Sequence, residues 1–437
     1  VDFFLPKREK NREMQKKVAT KSGKNENKAY FYPDKGGLFL CVSIVTTVRR
    51  SKNEFDAFES LSIWGEGFEV GCVCSFLEFS ISDFRKALMM RYLITGTTGL
   101  VGSYCARLLV EKGLRPLGLR RADSDMSLVA DIAHQIDWVE GDLQDIVFLE
   151  SLFEAGLDYV IHAAAIVSFA PNRRKQMWKT NVEGTRNLLN VALAYPPKKF
   201  CFISSVAALG YTPSLPDTRQ ANPPFLAIDE RQPWDNGVYH TAYAISKHFA
   251  EREVWRAAAE GLSVVIVNPS FVLGLGDWQK GSSSIFKYAY EQNRFYPEGY
   301  ANCVDVRDVA KAVVFLLESA IEGERFILNG AHLPYRELLE GIALRFGKRP
   351  PSHPLTPLLG SLAWRFEALR TFFSGEEPRI TADLVRNTRK RHAYSSQKIE
   401  KLGFLFTPLA QTLQWAVQGY QKKYNLPKPK VATLQPQ

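Results

Sequence analysis

From position 90 onward, short apolar runs alternate with stretches in which apolar residues recur every three or four positions. The runs fall at residues 92–94, 114–119, 137–140, 159–162, 200–204 and 263–267, with a late one at 326–328. Most are apolar at successive positions rather than at every second one, so they read as strands covered on both faces. Helical spacing fills the intervals at 146–154, 177–194, 242–260 and 309–319. This regular exchange predicts an α/β fold, a doubly wound parallel sheet with helices on both faces and 326–328 at its edge. After about residue 333 helical spacing dominates, at 335–346, 355–373, 378–387 and 411–424. A smaller, mostly helical C-terminal lobe that closes the substrate pocket is expected there. Within it, Leu359, Leu362, Trp364, Phe366, Leu369, Phe372 and Phe373 form an apolar helix face. That face is read as a roof over the pocket or core filling, with a membrane or partner contact as the alternative.

Residues 1–89 do not share the pattern. Positions 1–28 are rich in Lys, Asn and Glu without an apolar period, which argues for disorder, and 30–88 show neither a clean helix nor a repeated strand signal. Met89 and Met90 directly precede the first core strand. The folded core is expected to begin there, with 1–89 a poorly ordered appendage outside the native enzyme; a targeting or partner-binding extension is the alternative.

Charge and cysteines narrow the classes. Lys and Arg outnumber Asp and Glu by 56 to 46, yet the excess is dispersed apart from the first thirty positions and 386–391. With no nucleic-acid motif alongside, a nucleic-acid partner is not expected. The apolar run 37–48 is too short to span a bilayer, and no cleavage-site pattern follows it. Cys105 and Cys201 fall in predicted core elements, and Cys72-Val73-Cys74 lacks a second pair, so no metal site and a reducing cytoplasmic setting are expected.

The stretch 91–113 organises the remainder. A strand ends at Thr95, and Gly96-Thr97-Thr98-Gly99-Leu100-Val101-Gly102 leads into a helix. Gly96 suits a tight turn, Gly99 lets a pyrophosphate approach the backbone, and Gly102 lets the helix press on the strand. The helix start presents unpaired N–H groups and a positive dipole end to an anion, so Thr98, Leu100 and Val101 join the candidate contacts. The expected organisation is a Rossmann-type NAD(P)-binding domain at 90–332, carrying part of the substrate pocket, followed by the lobe and tail at 333–437. Arg120 and Arg121 end the second strand, where an arginine pairs with a ribose 2′-phosphate and a carboxylate would bind a 2′-hydroxyl. No acid follows until Asp123, so NADP(H) is preferred and NAD(H) stays open. Ala163, Ala164 and Ala165, after the fourth strand, leave room for the cofactor's ribose and nicotinamide.

Tyr243 and Lys247 are four apart on a predicted helix and share a face. The expectation is that the lysine ammonium, together with an oxidised nicotinamide, lowers the phenol's pKa from its usual ~10. The phenol then exchanges a proton with a carbonyl or alcohol oxygen, and Lys247 also bonds the nicotinamide ribose. Ser204 and Ser205 end the fifth strand, a usual ligand position in open sheets.

The glycine turn, the serine and the Tyr-x-x-x-Lys pair, in this order, resemble the extended short-chain dehydrogenase/reductases, also described as the NAD-dependent epimerase/dehydratase family, over about 90–424. The resemblance implies that Ser205 rather than Ser204 is catalytic, because Ser205 and Gly210 match the family spacing. It also implies that Asp142 and Leu143 contact the adenine, that Pro269 and Val272 border the cofactor, and that Asn181 is structural. Val206-Ala207 replaces the acid pair of sugar-nucleotide dehydratases. Asn268-Pro269-Ser270, Val272-Leu273-Gly274, Arg120 and Tyr394-Ser395-Ser396 are more similar to the dihydroflavonol 4-reductase-like group. Asp305 and Asp308 are read as helix anchors.

The first reading is therefore a carbonyl reductase or alcohol dehydrogenase for a small apolar substrate, with Trp234, Phe271, Trp278 and Tyr288 as candidate pocket walls. A nucleotide-sugar epimerase holding NAD and a non-catalytic dinucleotide-binding scaffold are the alternatives. Helices 177–194 and 242–260 are the expected faces of a homodimer.

Overall fold

A computed structural model describes residues 27–33, 39–50, 55–64, 90–168, 170–210, 226–236, 239–356 and 392–427. The chain divides into two compact units, Val1–Ala87 and Leu88–Gln437. In the first, β1 (Asn27–Pro33), β2 (Phe39–Arg50) and β3 (Phe55–Trp64) form an antiparallel sheet in the order β1-β2-β3. This differs from the expectation of no repeated strand signal. The run Val42-Ser43-Ile44-Val45-Thr46-Thr47-Val48 is rich in β-branched residues, which favour a pleated surface even without strict alternation.

The second unit is built on β4 (Tyr92–Thr95), β5 (Leu117–Arg120), β6 (Asp137–Glu140), β7 (Tyr159–His162), β8 (Lys199–Ile203), β10 (Val264–Pro269) and β14 (Glu324–Leu328). They form one seven-stranded sheet, order β14-β10-β8-β7-β4-β5-β6, in which each neighbouring pair is parallel. Alternate residues feed opposite cores. Tyr92, Ile94, Cys201, Ile203, Val265 and Val267 enter one, whereas Leu93, Phe200, Phe202, Val264 and Ile266 enter the other. Burial on both sides explains why these strands read as unbroken apolar runs.

Helices α1 (Leu100–Glu111) and α7 (Val306–Glu318) cover the first face. On the second lie α2 (Ile146–Glu154), α4 (Gly184–Ala194) and α5 (Ala242–Ala259). The helix predicted at 177–194 is interrupted. Here α3 (Arg174–Trp178) passes through one π-helical turn, Lys179–Glu183, before α4 begins. Sheet order reverses between β4 and β7, so a crevice is expected outside their carboxyl ends.

A third core joins β11 (Phe271–Leu273), α6 (Ser284–Tyr290), β13 (Tyr300–Asp305), α8 (Tyr335–Arg345) and α10 (Leu409–Lys423). It draws residues from both sides of position 333. Short pairings complete the unit: β9 (Leu226–Ile228) with β17 (His392–Tyr394), β12 (Phe295–Tyr296) with β16 (His353–Pro354), and β13 with β15 (Ala331–Pro334). After the short α9 (Gln397–Glu400), the chain is tied back by the two aspartates. Asp305 caps α7 by accepting from Arg307 N at 2.8 Å and also accepts from Thr412 on α10. Asp308 accepts from Thr407 through both its backbone N–H and its hydroxyl. The candidate helices at 355–373 and 378–387 lie largely outside the described residues, as does the apolar face at 358–373.

Candidate active site

The turn after β4 is a contact of bare backbone. Gly96 has φ +69°, and a Cβ there would lie 2.6 Å from Ala164 N; one on Gly102 would lie 2.2 Å from Gly96 O. Gly99 N donates to Gly96 O at 2.9 Å, closing the turn. Gly99 is also the N-cap of α1 and brings no side-chain cap, and no acidic residue stands in the first turn. Among the described residues the leading N–H groups thus lack a side-chain acceptor, and the residues fit a bound pyrophosphate. Thr98, Leu100 and Val101 sit on this rim half-buried.

Beside the turn, the end of β7 is held by a buried polar chain. Ala164 N donates to Thr95 Oγ1, and the Thr95 hydroxyl lies 2.6 Å from His162 Nδ1. His162 Nε2 lies 2.8 Å from Thr185 Oγ1, whose own proton goes to Asn181 O. Thr185 therefore accepts from His162, which fixes the neutral ring with its proton on Nε2 and leaves Nδ1 to accept from Thr95. Burial, with Lys247 adding to it, pulls this imidazole down to about 3. Asn181, within the π-helical turn, accepts from Ile166 N and donates to Ile166 O and to Ser246 Oγ. Its structural role is thus to fasten the loop after β7 to α5. Ala163 and Ala164 are half-buried in that loop, and Ala165 is exposed.

Ser205 follows β8 and caps a short turn by accepting from Ala207 N. Tyr243 opens α5, which Thr241 caps. Burial pushes the Tyr243 phenol up to about 12, and the neighbouring Ser205 side chain opposes that rise. Lys247 is not among the influences on the phenol, whose acidity the sequence assigns to that ammonium and an oxidised nicotinamide together. Lys247 Nζ instead donates to Ile203 O at 2.6 Å and sits 4.3 Å over the Phe202 ring. Burial pulls Lys247 down to about 7, with Glu251 opposing.

At the other end of the crevice, Arg120 and Arg121 stand as expected at the end of β5. Arg121 pairs with Asp123 at 3.3 Å and is half exposed. Arg120 pairs with Glu140 at 3.2 Å, while its buried Nε has no partner among the described residues. Glu140 is its register partner on β6, an acid that reading along the chain does not bring near. Asp142 Oδ1 accepts from Gln144 N in a turn, and Leu143 is buried against Gly184. Pro269 ends β10 fully covered, and Val272 is half-buried in β11.

Two expected pocket walls are filled differently. Trp234 is sandwiched between His240 and His248, at centroid distances of 3.7 and 4.0 Å, so neither indole face is open. Trp278 is buried in the third core and stacks on Tyr424 at 4.2 Å; Phe271 and Tyr288 pack against the same core. Sequence reasoning missed Glu251 and Arg325 and read Asn268 only as part of a family motif, whereas the three lie together behind Ser205. The signal that could have found Glu251 is its i+4 spacing from Lys247 on one helix face.

His162 gives a testable consequence. Its folded value lies below the ordinary ~6.5, so the unfolded chain binds a proton that the folded chain refuses. Stability is expected to be unaffected by this group above pH ~6.5 and to fall by about 1.4 kcal/mol per unit from there toward pH ~3. Urea unfolding at several pH values should show that slope in the wild type and a flatter one in His162→Gln.

A family model described as "NAD dependent epimerase/dehydratase family" matches residues 92–329, more than half of the chain. Cinnamoyl-CoA reductase 1 of Petunia hybrida is 27% identical over 77% of this chain and 93% of its own length. A Synechocystis sp. protein named provisionally as a dihydroflavonol 4-reductase is 29% identical, over 76% of this chain and 94% of its own. The solved structure of gox2253 superposes with a TM-score of 0.64 at 31% identity, covering 77% of this chain and 99% of that one. The UDP-glucose 4-epimerase of Thermotoga maritima shares the fold, with a TM-score of 0.61 at 19% identity over 77% and 100% of the two chains. Glycine turn, parallel sheet order and family match agree: the chain belongs to the NAD-dependent epimerase/dehydratase family, enzymes of the extended short-chain dehydrogenase/reductase type.

Proposed function

We propose that this chain is an NADP(H)-dependent reductase of ketones or aldehydes, running the reverse alcohol oxidation where conditions favour it. The observation that carries the reading is the placement of Ser205, just beyond the carboxyl end of β8, beside Tyr243 at the start of α5. The reductase names among the relatives support it.

The pyrophosphate would rest on the first turn of α1, between Gly96, Gly99 and Ala164, and a bound nicotinamide dinucleotide supplies the hydride. Ser205 holds the substrate oxygen by a hydrogen bond. Tyr243, protonated at neutral pH because its phenol is held high, donates its proton to that oxygen as negative charge develops there. Lys247 fixes the helix face behind Tyr243 through Ile203 O and presents its remaining protons to the ribose. Asp142, Leu143, Pro269 and Val272 are assigned to the adenine and nicotinamide borders of the same site. Arg120, with Nε lacking a partner among the described residues and its charge shared with Glu140, is assigned to the 2′-phosphate, with Arg121 at the rim. The same reading places the protein in a reducing, cytoplasmic setting, in keeping with the free buried thiols of Cys105, Cys201 and Cys303. It pairs two copies through α3–α4 and α5, where Trp178 already meets Phe249. Among the described residues no helix is long and apolar enough to cross a membrane.

Tyr243→Phe is expected to cut NADPH-dependent reduction of an aldehyde and ketone panel by about 10²–10⁴-fold, with NADPH affinity within about threefold of wild type. Turnover at the wild-type level in that variant would remove the tyrosine from the chemistry. A chain that purifies with bound NAD and converts sugar nucleotides without added NADPH would favour an epimerase instead.

Cofactor choice is tested separately by the ratio of kcat/KM for NADPH to that for NADH. Arg120→Ala should lower the ratio about tenfold, and Glu140→Gln, which frees the guanidinium, should raise it. Equal ratios in all three proteins would assign the 2′-phosphate elsewhere.

A further inference from the structure

A buried acid stands directly behind the proposed proton donor. Glu251, on α5 one turn beyond Lys247, is only 3% exposed. Its Oε2 accepts from Ser204 Oγ at 2.7 Å and from Asn268 Nδ2 at 2.9 Å. Its Oε1 accepts from Arg325 Nη1 at 3.0 Å and from Trp255 Nε1 at 3.4 Å. Arg325 is itself held by Glu230 O, to which both Nε and Nη2 donate. One carboxylate thus ties β8, β10 and β14 to α5.

The network reaches the reacting groups by two routes. Asn268 Nδ2 divides its protons between Glu251 and Ser205 O, the latter at 3.0 Å. Both neighbours are acceptors, so the amide orientation is fixed and Asn268 holds the Ser205 backbone in place. The second route is electrostatic: Glu251 is the one charged group whose influence on Lys247 opposes the pull of burial. The other groups around Lys247 are Tyr243 on its own helix, His162 from β7, and the Phe202 ring and Ile203 O from β8. His162 is neutral. Around Glu251 stand His248 and Trp255 on α5 and Arg325 from β14. A carboxylate buried this deeply is destabilising unless its partners are complete, so removing one partner alone carries a cost that is separate from any role in the reaction.

We propose that Glu251 is a positioning residue of the reduction, holding Ser205 through Asn268 one helical turn beyond Lys247. The proposal rests on the assignment of Ser205, Tyr243 and Lys247 made above. If Glu251 served only to balance Arg325, removing both charges together would restore the site; a positioning Glu251 is not replaced in that way.

The test uses the full chain in three forms: wild type, Glu251→Gln, and Glu251→Gln with Arg325→Met. Lysine Cε NMR titration without cofactor reads Lys247 directly, its signal identified by loss in Lys247→Arg. In Glu251→Gln the Lys247 midpoint should fall by about one unit from its value of about 7, and kcat by about tenfold. The alkaline limb of the kcat profile should move to lower pH by the same amount, because a charged Lys247 is then lost sooner. The double variant should regain thermal stability relative to the single one while keeping the shifted midpoint and low kcat. An unmoved Lys247 midpoint in Glu251→Gln, or recovery of midpoint and kcat in the double variant, would overturn the proposal. If the wild type reduces no carbonyl compound, the reaction assignment fails, and the NMR titration still decides whether Glu251 governs Lys247.

Discussion

Position 102 admits no side chain, because the backbone of Gly96 already occupies the space where a Cβ would stand. Position 96 is closed in the same way by Ala163 and Ala164, the first residues beyond β7. Three backbone segments therefore meet without side chains between them, at the point where the sheet order reverses. This close approach aims the uncapped first turn of α1 into the crevice beyond the strand ends, where β8 delivers Ser205. A dinucleotide site needs that geometry, since a side chain at Gly102 would push α1 away from the turn and one at Gly96 would push away the loop after β7.

The floor of the crevice is polar, and burial governs its protonation. His162 stays neutral between two threonine hydroxyls, Tyr243 keeps its proton, and Lys247 is brought down toward neutrality. Glu251, buried beside them, has Arg325, Asn268 and Ser204 around it. The arrangement suits a proton donor: a phenol held high does not lose its proton to water at neutral pH, yet it lies against the serine that would orient the substrate oxygen.

The sheet was legible because its central strands are buried on both faces: β7 falls on the residues its apolar run marks, the half-exposed edge strand β6 falls on 137–140 through Trp138 and Val139, and the others shift by a few residues at their ends. The break in helix 177–194 was not legible. Periodicity cannot register a π-helical turn whose asparagine bonds to a loop fifteen positions earlier. The Tyr243–Lys247 spacing told which face the two share but not which acceptor the lysine meets, and that acceptor is a strand carbonyl. Glu140 escaped because a register pairing, rather than sequence distance, sets it beside Arg120. Trp234 was read as a pocket wall on residue type alone, whereas two imidazoles cover its faces.

The central claim is that the free chain holds the Tyr243 phenol protonated, and that the cofactor's positive ring is what makes it acidic. Near-ultraviolet tyrosinate titration, taken as wild type minus Tyr243→Phe, measures this with and without saturating oxidised dinucleotide. The phenol is expected to ionise at about 12 in the free chain and about two or more units lower in the complex. A free-chain phenol that already ionises near neutrality, or one that saturation leaves unmoved, would contradict the account.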